Sequence, residues 1–150
     1  MLDAPSILLI ENSPDDAKLI VDALAGVVAR DQIALCVDGA DALDFFHCRG
    51  IYANDIPTEL PAFVLLNLDL PQVTGLDVLR EIRSYAPTRL VPVTIFSASA
   101  TQADIRAAAQ LGANSYVRKA ADGRQMQETI STLALYWLQL NVPPPTSARQ

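Results

Sequence analysis

Phe63-Val64-Leu65-Leu66-Asn67-Leu68-Asp69-Leu70-Pro71, with a glycine following at Gly75, is the stretch whose reading decides the fold. Phe63–Leu66 is apolar on consecutive residues, as expected of a parallel strand covered on both faces. Polar residues, a proline and a glycine then close the run as a loop.

The same pattern recurs on either side. Ser6–Ile10, Ile33–Val37, Val91–Phe96 and Ser115–Val117 read as four further strands. Amphipathic segments lie between them. The first carries Leu19, Ile20, Ala23, Leu24 and Val27 at helical spacing. Its opening, Ser13-Pro14-Asp15-Asp16, sets a cap, a first-turn proline and two acids at the positive end of the helix dipole. A second helix spans roughly Asp41–Cys48, and a third carries Leu76, Leu79 and Ile82. The fourth opens with Thr101-Gln102-Ala103-Asp104, a capping box, and closes near Gly112. The fifth runs from about Asp122 to about Leu140. Alternation of this kind predicts an α/β fold, a doubly wound five-stranded parallel sheet with right-handed crossovers and an extended C-terminal helix.

At 150 residues the chain suits one such domain, and 51% hydrophobic residues supply its core. We expect the domain to cover residues 1–141, with residues 142–150 as a Pro-rich arm and frayed tail. A net charge of −6 argues against a nucleic-acid-binding face. Cys36 and Cys48 have neither zinc-like nor redox spacing, and read as buried thiols in a reducing compartment. No signal peptide is expected from Met1-Leu2-Asp3-Ala4-Pro5, and no apolar run approaches membrane-spanning length. The expected location is the cytoplasm.

Sheets of this class bind ligands at the carboxyl ends of their strands, near the switch in strand order. The polar residues expected there are Glu11 and Asn12, Asn67 and Asp69, Ser97 and Ser99, and Lys119. They come from four segments, and the fold alone brings them together.

The string N-L-D-L-P-x-x-x-G and this constellation resemble bacterial response-regulator receiver domains over nearly the whole chain. The resemblance places Glu11-Asn12 at the family's acidic pair, Asn67 at the phosphoacceptor, Ser97 and Tyr116 at the switch positions, and Lys119 at the conserved-type lysine. In that family an aspartate at the acceptor position takes a phosphoryl group from a histidine kinase. Mg²⁺ is held by the second acid, the acceptor and a backbone carbonyl two residues on, and the lysine holds the phosphoryl oxygens. His47-Cys48-Arg49-Gly50-Ile51-Tyr52, the segment L-P-x-x-x-G-x-x-V-L-x-x-I, and Tyr136-Trp137-Leu138 with Val142-Pro143 resemble, more narrowly, the single-domain regulators that partner phytochrome-type sensor kinases.

Three departures change what the resemblance implies. Asn67 replaces the acceptor, Asn12 replaces a metal-ligating acid, and Ala120 follows the lysine where the family usually has proline. A neutral carboxamide is a poor nucleophile, whereas a carboxylate beside a metal is a competent one. Glu11 alone remains as an inward acid, since the Asp69 side chain is expected to point outward. Glu11 and Lys119 bridged by two amides would neutralise each other with no metal needed, so Mg²⁺ binding is expected to be weak or absent. A cis bond costs about 2.5–4 kcal/mol before a residue other than proline, so Lys119–Ala120 is expected to be trans. Ser97 and Tyr116 then read as structural. The resulting expectation is a non-enzymatic, phosphorylation-independent binding module. The competing one is a phosphoacceptor using Asp69, or an aspartate restored at Asn67 by a deamidation that Leu68 would slow. An unrelated flavodoxin-like enzyme is a third reading, but no glycine-rich phosphate loop is present, and the lone His47 lies in a helix end.

The last helix is apolar on more than one face. Met126, Ile130, Leu133 and Trp137 fit a core stripe, while Leu135, Tyr136, Leu138 and Leu140 cover the remaining circumference. Similar regulators dimerise through this region. Leu135, Tyr136, Trp137, Leu138, Leu140, Val142 and Pro143 are therefore the expected surface for a homodimer or a partner kinase.

Overall fold

In the computed structural model, which describes residues 5–53 and 60–145, the five apolar runs become β1 (Ile7–Ile10), β2 (Ile33–Cys36), β3 (Phe63–Leu66), β4 (Val93–Ser97) and β5 (Ser115–Arg118). All pair in parallel, in the order β2-β1-β3-β4-β5. Every residue of β1 and β3 is buried, which explains their unbroken apolarity: both sheet faces are covered there. The order reverses at β1, so the crevice beyond β1 and β3 is the topological switch point.

Five helices cover the sheet: α1 (Pro14–Leu24), α2 (Gly39–His47), α3 (Gly75–Ser84), α4 (Gln102–Gln110) and α5 (Gly123–Leu135). Two apolar clusters follow from their placement. Ile20, Ala23 and Leu24 of α1 and Met126, Ile130 and Ala134 of α5 pack on Ile7, Leu9, Phe63 and Leu65. On the opposite face, Phe46, Val78, Leu79, Ile82 and Ala108 pack on Leu8, Ile10, Val64 and Leu66. No helix among the described residues is long and apolar enough to cross a membrane.

The element boundaries have local causes. Ser13 caps α1 by accepting the Asp16 N–H at 3.3 Å, with Pro14 in the first turn. Asp38 caps α2 by accepting the Asp41 N–H at 2.7 Å, so that helix starts at Gly39, before Asp41. β4 starts at Val93 and runs through Ser97, because Pro92 has no N–H to give the ladder. Thr101 caps α4 from one side only, since the Asp104 carboxylate takes the Ser99 hydroxyl instead of closing a box. The reciprocal capping box lies at α3, where Thr74 and Asp77 exchange bonds of 3.2 and 3.0 Å. After Leu135 the last helix widens into a π turn over Tyr136–Leu140, and residues 142–145 follow without regular structure. Residues 146–150 of the expected arm and tail, and Met1–Ala4 of the N-terminal reading, lie outside the described residues.

Gly75 shows why the strand-end segment needs its glycine. A Cβ there would sit 2.3 Å from the Asn67 carbonyl oxygen and 2.6 Å from the Leu68 Cα. The start of α3 therefore rests directly on the backbone that carries Asn67.

Candidate functional site

The ladder register brings the polar residues together. Ile10 is aligned with Leu66, so the residues after them, Glu11 and Asn67, emerge side by side, and the Asn67 N–H donates to the Ile10 carbonyl at 3.1 Å. Ser97 ends β4 and is aligned with Arg118, which places Lys119 beyond the sheet edge, with its N–H on the Ser97 carbonyl at 2.8 Å. Glu11, Asn67 and Ser97 are buried polar residues at one end of the sheet.

The Glu11 carboxylate is the hub. Oε2 accepts from Lys119 Nζ at 2.7 Å, while Oε1 accepts from Asn67 Nδ2 at 3.0 Å and from the Ser13 N–H at 3.1 Å. Asn67 Nδ2 also reaches Asn12 Oδ1 at 3.4 Å, and Asn67 Oδ1 accepts the Asp69 N–H at 3.1 Å. This network fixes the amide orientation. Turning the Asn67 amide over would aim an oxygen at the Glu11 carboxylate and an N–H at the Asp69 N–H. The polar groups of the buried amide are therefore satisfied by the protein, with an N–H face toward Glu11.

Two findings depart from the sequence reading. Lys119 is shared between two carboxylates, because Asp16 Oδ2 also accepts from its Nζ at 2.8 Å. Asp16 was legible only as a first-turn acid of α1. Its position one turn after the Ser13 cap was the available signal, since it aims the side chain back over the end of β1. Counting Glu11, Asp16 and Lys119 gives the cluster one negative charge, where the pair alone would be neutral. The second departure is Asp69. Its side chain is exposed but turns toward the pocket, with Oδ2 at 3.5 Å from the Ser97 hydroxyl.

Burial lowers the Lys119 pKa, but the hydrogen bonds and charges of Asp16 and Glu11 together outweigh it and hold the ammonium above its ordinary value. Burial pushes the Tyr116 hydroxyl up, aided by the Asp104 and Asp69 charges. That hydroxyl donates to the Ser99 carbonyl at 2.6 Å. No cis peptide occurs among the described residues, so Lys119–Ala120 is trans.

Mg²⁺ favours an octahedral set of oxygens with one or two carboxylates. Here Glu11 already accepts from three protein donors and Asn67 turns N–H toward it. Among the described residues no group of three or more His, Cys, Asp or Glu is arranged to hold a metal ion. The present donor set does not fit the ion.

Residues 7–131 match the family described as Response regulator receiver domain. The chain belongs to that family. This receiver is 28% identical over 133 residues to Response regulator Rcp1 of Synechocystis sp., with 89% of this chain and 88% of Rcp1 covered. The crystal structure of the phosphorylated cyanobacterial phytochrome response regulator RcpA superposes with a TM-score of 0.87 at 30% identity, covering 95% of this receiver and 99% of RcpA. The bacteriophytochrome response regulator AtBRR gives 0.71 at 34% identity, covering 93% and 99%. This is thus a receiver-domain response regulator related to phytochrome response regulators.

The C-terminal set divides. Leu135, Tyr136, Leu140, Val142 and Pro143 are exposed, Leu140 to 73% and Val142 to 88%. Trp137 and Leu138 instead pack on the α1/α5 cluster, and the Trp137 ring stacks on Phe63 at 6.2 Å. They complete this domain's own core face, and the outward surface is correspondingly smaller. His47 is remote from the pocket, at the end of α2, where Nε2 meets Glu81 Oε1 at 3.0 Å. The Cys36 thiol is buried and pushed up to about 12, chiefly by desolvation and by the nearby Asp41 charge.

Proposed function

We propose that this receiver is a phosphorylation-independent binding module of a two-component system that docks on a phytochrome-type sensor histidine kinase. The observation that carries the reading is the Asn67 amide, whose N–H groups lie on Glu11 and Asn12 while its oxygen holds the Asp69 N–H. Acceptance of a phosphoryl group needs an anionic oxygen and charge neutralisation beside it. At position 67 there is a neutral amide, and the adjacent ammonium is committed to Glu11 and Asp16. No autocatalytic phosphoryl transfer follows, and Mg²⁺ binding is weak or absent. The likeness to RcpA and AtBRR supports a phytochrome-type kinase as the partner.

The receiver acts as a homodimer in this reading, in the cytoplasm, with Leu135, Tyr136, Leu140, Val142 and Pro143 as the contact surface. Exposed aliphatic and aromatic side chains clustered on one helix end support it. Size-exclusion chromatography with light scattering tests the dimer.

Incubation with acetyl phosphate and Mg²⁺ followed by intact mass measurement tests the main reading. An unchanged mass, together with kinase capture without phosphodonor, is expected. One observation favours a second reading: the Asp69 carboxylate faces Ser97. A phosphate mass gain mapped to Asp69 would establish that acid as the acceptor, and a gain at position 67 would show that deamidation had restored an aspartate.

A further inference from the structure

We propose that Lys119 is a shared cation for which position 67 and Asp16 compete, so that the charge at position 67 is reported at the first turn of α1. The proposal rests on the pocket reading above and extends it to α1.

The geometry puts the competitors within reach of one ammonium. Lys119 Nζ and Asn67 Nδ2 lie on the two oxygens of the same Glu11 carboxylate, at 2.7 and 3.0 Å. An anion at position 67 would face that carboxylate where an N–H now does. Like charges at this range are tolerated only when a cation moves between them or one of them is protonated. The nearest cation in the cluster is Lys119, with its side chain only 8% exposed.

Of the ammonium's two present partners, Asp16 is the one able to give way. Glu11 is 1% exposed on its side chain and is held from both oxygens, so leaving it unpaired would bury a bare charge. The Asp16 side chain is 38% exposed, where water replaces a lost partner at small cost. Asp16 also sits in the first turn of α1, where the helix dipole stabilises a carboxylate by itself. A neutral residue at position 67 therefore leaves Lys119 tethering the end of β5 to the start of α1. A negative one draws the ammonium inward and releases that tether.

The test uses the full chain in EDTA without phosphodonor, so its outcome does not depend on whether any residue accepts phosphate. Urea midpoints are compared for Asp16→Asn in the native chain and in Asn67→Asp. The midpoint shift caused by Asp16→Asn is expected to fall by more than half once position 67 is an aspartate. Amide NMR supplies a readout that simple destabilisation does not move. The Asp15, Asp16 and Ala17 signals should shift on Asn67→Asp, and should stay put when the same change is made in Lys119→Met. Equal midpoint shifts in both backgrounds would overturn the proposal, as would α1 shifts that persist without Lys119. So would loss of a urea transition in Asn67→Asp, because the incoming ammonium should keep that variant folded. The binding-module reading fails on a different result, a phosphate mass gain.

Discussion

The strand-tip pocket and the end of the last helix treat their chemistry in opposite ways. In the pocket, charged and polar groups are turned on one another: Glu11 meets Lys119, Asn67 and Ser13, and Lys119 meets Asp16 as well. At the helix end, apolar groups are turned outward, with Leu140 and Val142 among the most exposed large side chains. The first place is self-satisfied and the second has surface left to bury. A site whose groups are paired internally has little to offer a ligand, whereas exposed apolar area gains by being covered.

The hardest blow to that comparison is removal of the pocket's cation. Lys119→Ala leaves Glu11, buried and hydrogen-bonded, without its counter-charge. Breaking a buried ion pair from one side costs about 3–5 kcal/mol, and a urea or thermal unfolding curve will register it. A loss below about 1 kcal/mol, the scale of a surface pair, would mean that the pocket is wet and that the contrast with the exposed helix end is overdrawn.

Next comes Trp137, which divides the C-terminal segment between core and surface. Its ring stacks on Phe63 and it is only half-buried. Replacing a fully buried large aromatic by alanine costs 3–5 kcal/mol, so a half-buried one should cost about 2 kcal/mol. That loss should be the same at low and high protein concentration, because the ring packs on its own domain. A concentration-dependent loss would move Trp137 to the interface side of the comparison.

Alkaline pH sharpens the pocket side further. The folded pKa of Lys119 is raised, so its contribution to stability is fully present below its ordinary value of about 10.4 and is lost as pH rises through the higher folded value. Stability of the native chain should therefore fall faster above pH ~10.4 than that of Lys119→Met. Parallel alkaline curves for the two proteins would remove the charge coupling.

Much of this was legible in the sequence, for physical reasons that also set the limits. Consecutive apolar residues in Ile7–Ile10 and Phe63–Leu66 announce central strands because both sheet faces are dry there. The residues after those strands converge because register is fixed once the strands are, which is how Glu11, Asn67 and Lys119 were found together. Contacts made by side chains across elements carry no such periodicity. Asp16 looks like any first-turn acid until α1 is laid beside the end of β5. Arg83 gave no signal at all, yet its guanidinium binds the Gly112, Arg89 and Val91 carbonyls at 2.7–2.9 Å and Asn114 at 2.8 Å, tying the end of α3 to the segments that lead into β4 and β5. Asp69 is exposed as expected, but its lean toward Ser97 was not legible because it lies three residues beyond β3, where loop geometry sets the direction of a side chain.

The smallest expected effect on stability belongs to the exposed end of the last helix, and it is the sharpest test of the division. Leu140 and Val142 are far more exposed than buried, so Leu140→Ser and Val142→Ser should each change folding stability by no more than about 0.5 kcal/mol, the usual range for surface positions. If the same surface closes the proposed dimer, the double variant should elute as a monomer at concentrations where the native chain does not. Stability and assembly then separate: pocket variants unfold the protein without changing its association, and helix-end variants do the reverse. An unchanged dimer in Leu140→Ser/Val142→Ser would place the contact elsewhere. The same variants with a large loss of stability would mean that these side chains fold back on their own domain in solution, and the exposed half of the comparison would no longer stand.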